Sequence, residues 1–123
     1  KNEVAVEFNF NFLINKKFHN FCMSGEWGTF EKDGSLPTKW GLDYAGPNDS
    51  RPDSGTGRWV LENGSLVITN TAISDGTYTE FKFFEVDGDI FAIPKGAYCS
   101  MFIGSDDKKL EEAKAKYWEE SCK

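Results

Sequence analysis

Four dipeptides punctuate the chain: Asp33-Gly34, Asn63-Gly64, Asp75-Gly76 and Asp87-Gly88. Each accepts the positive φ angles of a tight hairpin turn. The runs between them are short and rich in Val, Ile, Thr, Phe and Trp, which suit a half-buried pleated surface. The last three recur about every 12 residues, the spacing of an antiparallel meander. The pattern predicts an all-β domain, a small barrel or sandwich.

A chain of 123 residues supports one domain with one core, spanning 1–123, and its 15% aromatic content is ample to fill that core. The net charge of −6 argues against nucleic acid as a partner, because phosphate neutralisation needs a clustered basic surface. Acidity favours a basic protein partner instead. No apolar stretch is long enough to span a bilayer. The chain opens Lys1-Asn2-Glu3-Val4 without Met or a signal-type apolar block, so a secreted or periplasmic protein with its signal removed is one expectation and a trimmed chain the other.

Three cysteines leave one unpaired if an internal disulfide forms. Cys99 falls in an expected late strand and Cys122 at the end of an expected terminal helix. A bridge between them would staple the helix to the barrel and contribute about 3 kcal/mol, leaving Cys22 over. The alternative is three buried or reduced thiols. No two cysteines have ligand spacing and His19 is the single histidine, so neither a metal site nor a cofactor is expected.

Along the chain, Val4, Val6, Phe8, Phe10, Phe12 and Ile14 alternate with Glu7, Asn9 and Asn11, which predicts a long first strand. Asn15 to Asn20 reads as a turn or short helical cap. Strands are expected at Glu26 to Lys32, Leu36 to Tyr44, Arg58 to Glu62, Leu66 to Thr71, Thr77 to Val86, Asp89 to Ile93 and Ala97 to Ile103. The Gly- and Pro-rich stretch 45–57 lacks periodicity and exceeds an ordinary connection, so it reads as a lid, a binding loop or an insertion. From Ser105 the period changes to that of a helix over about 105–121. Ser105 caps it, Asp106 and Asp107 complement its positive end, Glu112 pairs with Lys116, and Leu110, Ala113, Tyr117 and Trp118 form its apolar stripe.

Motifs of catalysis are missing from this pattern. Asp87-Gly88-Asp89 lacks the further acidic positions of a calcium loop. No nucleophile elbow or Cys/His pair with an orienting partner is present, and Gly55-Thr56-Gly57 precedes a strand where a phosphate loop needs a helix. The aromatics remain. An eight-stranded barrel either fills its interior with side chains or holds one small ligand there. Trp40, Tyr44, Arg58, Trp59, Tyr78 and Phe83 are the candidate ligand-binding residues, with Arg58 or Tyr44 orienting a polar end.

Gly25-Glu26-Trp27, opening a strand, resembles the Gly-x-Trp start of lipocalin and other calycin barrels. The run from Gly57 to Ile68, a strand, an Asn-Gly turn and a strand, is similar to that of small bacterial lipocalin-like domains, and the closing helix fits them. The resemblance implies an up-and-down, about eight-stranded calycin-like barrel with one packed C-terminal helix, whose open end takes a small apolar molecule. It implies no catalytic residue.

Three function classes follow. A non-enzymatic barrel binding a small hydrophobic or amphipathic ligand requires an internal cavity, with 45–57 as lid. A small acidic inhibitor, immunity protein or effector requires a filled barrel and a loop presenting Asp49, Arg51 and Asp53 to a basic partner. An isomerase or lyase requires Arg58, Tyr44 and Glu80 or Glu85 to converge inside.

Overall fold

The computed structural model describes residues 9–20, 26–40, 55–69, 76–95 and 101–121. A helical turn, α1 (Phe10–Leu13), precedes nine strands and a closing helix. The strands are β1 (Lys17–Asn20), β2 (Glu26–Thr29), β3 (Ser35–Trp40), β4 (Gly55–Glu62), β5 (Ser65–Thr69), β6 (Gly76–Tyr78), β7 (Phe81–Val86), β8 (Asp89–Pro94) and β9 (Met101–Gly104), and the helix is α2 (Asp107–Ser121).

All pairings are antiparallel, in the order β6-β5-β4-β3-β2-β1-β9-β8-β7. The one non-sequential neighbour pair is β1 with β9, which brings the first strand against the last and rolls the meander into a nearly closed barrel. The seam lies between β6 and β7, which follow one another in the chain. They occupy the run expected as a single strand from Thr77 to Val86, interrupted at Thr79-Glu80, where Lys95 N donates to Glu80 O at 2.8 Å. Read as one interrupted stave, they bring the nine strands close to the about eight that the calycin-like resemblance implies.

Tight turns follow from local chemistry. Asn63 and Gly64 have φ of 53° and 83°, and Asp87 and Gly88 have 52° and 88°, the doubly positive form whose twist matches the flanking strands. Asp33-Gly34 makes a longer turn: Gly34 N donates to Glu31 O, and the Asp33 carboxylate accepts from Ser35 N at 2.9 Å and Ser35 Oγ at 2.6 Å. Gly76 opens β6, and Asp75 lies outside the described residues.

The N-terminal strand expectation is overturned at its described end. Phe10–Leu13 is helical: the Asn9 side chain accepts from Phe12 N at 3.0 Å, Ile14 N donates to Phe10 O, and Asn15 stops the turn at φ 64°. Phe10 and Leu13 are three residues apart, a spacing that puts both on one side of a helical turn but on opposite faces of a strand. Leu13 is buried while Phe12 and Ile14 pack on the barrel core, so α1 caps that core. Residues 1–8 lie outside the description. Asn15 to Asn20, expected as a turn or cap, contains the closing strand β1. At the far end the cap is Asp106, not Ser105, with Lys109 N donating to Asp106 Oδ1 at 2.9 Å.

Strand alternation sorts the apolar residues into two cores. Phe18, Phe30, Leu36, Trp59, Leu66, Ile68, Ala92, Met101 and Ile103 fill the barrel, joined by Leu61, Tyr78, Phe81 and Phe83. Trp27, Phe84, Phe91, Ile93 and Phe102 point outward, where Leu110, Ala113 and Tyr117 of α2 cover them. Trp118, expected in that stripe, is 46% exposed and meets only the Tyr117 ring edge-on among the described aromatic pairs. Lys116 donates to Glu85 O at 3.1 Å, tying the helix to β7. Among the described residues, no helix is long and apolar enough to cross a membrane.

Candidate functional site

The described interior is packed with large side chains, several with no exposed surface at all. A cleft lined by described residues lies at the rim, and register creates it. Pairing of β3 with β4 ends at Ser35↔Arg58, whereas β4 and β5 continue to Glu62↔Ser65. Beyond Ser35 the β4–β5 hairpin therefore stands without β3 beside it.

The result is a cleft of about 570 Å³. It is lined by Arg58, Val60, Val67 and Thr69 from the outer face of the hairpin, by Trp59 and Leu61 from its inner face, by Lys32, Asp33 and Gly34 from the β2–β3 turn, and by Phe10 from α1. Phe10 lies stacked on Trp59, with ring centroids 5.4 Å apart and planes 21° from parallel. Trp59 is in turn fixed by its indole N–H, which donates to Glu31 O at 2.8 Å, and by the edge of Phe30. Phe10 and Val60 are 42% and 46% exposed, unusual for apolar side chains of this size and consistent with a wettable, apolar-walled groove.

The charged members are arranged by the turn. Arg58 Nη2 donates to Asp33 O at 3.3 Å and lies close over Gly34, where a Cβ would come within 2.9 Å of it. The Ser35 hydroxyl and then the Ser35 backbone N–H hold the Asp33 carboxyl below its ordinary range, so it stays ionised.

Of the residues expected from sequence, the structure brings Arg58 and Trp59 together in this cleft. Tyr78 and Phe83 belong instead to the packing inside the barrel, where both are partly buried. The Trp40 backbone pairs with Glu26, and its side chain lies outside the described residues, as do Tyr44, the stretch 45–54 of the expected lid, and Cys22, Cys99 and Cys122 with the bridge between the last two. Of the residues that an isomerase or lyase would gather inside, Arg58, Glu80 and Glu85 are exposed, and Glu80 faces Lys95 at 3.8 Å. Phe10, Lys32, Asp33, Val60 and Val67 were not legible as site residues, because the cleft they share exists only through the mismatch in strand lengths.

A second cluster lies under α2. His19 is buried against Trp27, and its Nδ1 is 3.4 Å from Glu111 Oε2. Burial, and then the Lys114 charge, push its pKa down to about 3, so it is neutral over ordinary pH. The Trp27 indole N–H has no acceptor among the described residues. No group of three His, Cys, Asp or Glu side chains among the described residues is placed to hold a metal.

No family model matches this chain, and no curated protein or solved structure matches it.

Proposed function

We propose that this protein is a non-enzymatic binding barrel of calycin-like type that takes up a small amphipathic ligand, and that the ligand sits in the rim cleft and not in the barrel interior. The observation that carries this reading is the cleft itself: about 570 Å³ in volume, with aromatic and aliphatic walls and a guanidinium at its side. That volume falls in the range of small-molecule sites, which are mostly apolar with a few placed polar groups. The nearly closed antiparallel barrel with one packed helix is compatible with the calycin likeness of Gly25-Glu26-Trp27. That likeness implies a site inside the barrel; the reading here follows the cleft, which lies at the rim.

The test is a titration with phenylnaphthylamine, a neutral fluorophore that brightens in apolar surroundings. The expected result is saturable binding at one site, abolished in Val60→Asp, which puts a carboxylate on the cleft wall, with the melting temperature kept. Absence of saturable binding, or binding that Val60→Asp leaves intact, would refute the reading.

The net charge of −6 favours a second reading, a small acidic protein that binds a basic partner. A protein that ignores the fluorophore yet forms a salt-sensitive one-to-one complex with a cationic protein in native mass spectrometry would select it. Failure to form that complex would reject it.

A further inference from the structure

We infer that the rim cleft selects an amphipathic anion, with its charged head on Arg58 and its apolar body against Phe10, Trp59, Val60 and Val67. This rests on the ligand-binding reading above and names the chemistry of that ligand.

The charge balance is the first support. The chain carries a net −6, yet the charged residues of the cleft, Lys32 and Arg58 against Asp33, sum to two positive and one negative, or +1. A local positive site on an acidic surface is what draws an anion to one place on a protein that otherwise repels it.

The second support is where the donors are used. Among the described residues, most other cations are engaged. Lys17 pairs with Asp107 at 2.9 Å, Lys109 with Asp89 at 2.7 Å and Lys95 with Glu80. Lys116 donates to Glu85 O, while Lys16 and Lys82 lie over the Phe12 and Phe84 rings. Arg58 ion-pairs with no carboxylate among the described residues. Its Nη2 donates to the Asp33 backbone carbonyl, and a guanidinium has five N–H donors in a fixed fork. That bond orients the fork, and the Asp33 carboxylate attracts the guanidinium only as a weaker influence behind its own bonds to Ser35.

The third support is the neighbouring carboxylate. Asp33 would be the natural counter-ion, but its side chain is turned onto the Ser35 hydroxyl and N–H, and it is the backbone oxygen that faces Arg58. Gly34 leaves the space that the guanidinium fills. Thr69, opposite Arg58 across the β4–β5 pair, sets a hydroxyl donor on the same outer face. A carboxylate, sulfonate or phosphate monoester head finds paired donors here, and the stacked rings and valines beside them receive its body.

Two fluorophores with the same aromatic body separate this inference from the reading beneath it: neutral phenylnaphthylamine and anionic anilinonaphthalene sulfonate. The sulfonate is expected to bind about tenfold more tightly, one charge-assisted pair in a half-open site. Arg58→Met should erase that preference while neutral binding persists, and Arg58→Lys should keep part of it. Equal affinities in the wild type, or a preference that survives Arg58→Met, would overturn the anion inference and leave the ligand-binding reading standing. Failure of both fluorophores to bind would overturn both. Melting curves of each variant confirm that the barrel is intact.

Discussion

His19 stacks on Trp27 with ring centroids 4.0 Å apart and planes 30° from parallel, on the outer barrel wall beneath α2. The two are directly opposite across the β1–β2 pair, and Phe102 of β9 flanks His19 on the other side. The only histidine of the chain is thus clamped between sheet and helix in its neutral form.

This placement sets a pH dependence. The folded pKa is about 3 against an ordinary 6.5, so between those values the unfolded chain holds a proton that the folded chain does not. Stability is therefore full above about pH 6.5 and falls as the pH drops towards 3, with a slope of up to about 1.4 kcal/mol per pH unit. Glu111 at 3.4 Å opposes the effect and reduces it. Urea melts at pH 7 and pH 4 are expected to show a larger loss for the wild type than for His19→Phe. Equal losses would mean that His19 titrates normally.

Gly28 sits opposite Phe18, and a Cβ there would overlap Phe18 Cε2. The ring of Phe18 thus occupies the space of the missing side chain inside the barrel. Gly28→Ala is expected to cost about 1–3 kcal/mol by overpacking. Adding Phe18→Leu should recover part of that loss, since residues in contact are not additive. Denaturant melts of the two single variants and the double variant decide it; strictly additive losses would separate the two positions.

How far the sequence reveals this molecule depends on whether the signal is local. Asn63-Gly64 and Asp87-Gly88 carry their backbone angles in their own chemistry, and Leu110, Ala113 and Tyr117 announce the helix face that packs. Residues 9–14 mislead because alternation at Phe10, Phe12 and Ile14 is strong, while the Asn9 cap that decides for a helical turn is one side chain. β1 escapes notice because Lys-Phe-His-Asn has no β-branched residue, and β2 and β9 on either side define it as a strand. Arg58 and Trp59 stand out as a cation beside an aromatic in a strand. Phe10 and Lys32 join them only because β4 outruns β3, a relation between segments distant in sequence.

The Asn9 cap can be tested alone. Asn9→Val improves the period-two pattern and removes the acceptor of the Phe12 N–H. A rule based on strand pattern predicts stabilisation, whereas the cap predicts a loss of about 1 kcal/mol. Thermal melts with two-state analysis distinguish the signs. Loss of amide protection at Leu13 and Ile14, whose N–H groups bond to Asn9 O and Phe10 O, should accompany the destabilisation.

Trp59 links the barrel to the cleft, because the same ring stacks on Phe10, meets Phe30 edge-on and ties the β2–β3 turn through Glu31 O. Trp59→Phe keeps an aromatic ring there but removes the indole N–H. Glu31 O still accepts from Gly34 N, so no buried acceptor is orphaned and the stability cost should stay near 1 kcal/mol. The cleft should suffer more than the fold, because Arg58 is held by Asp33 O of that same turn. Binding of anilinonaphthalene sulfonate to Trp59→Phe is expected to weaken severalfold while phenylnaphthylamine binding changes less. A variant in which both probes bind as in the wild type would detach the turn from the site, and the geometry of Arg58 would then not depend on Trp59.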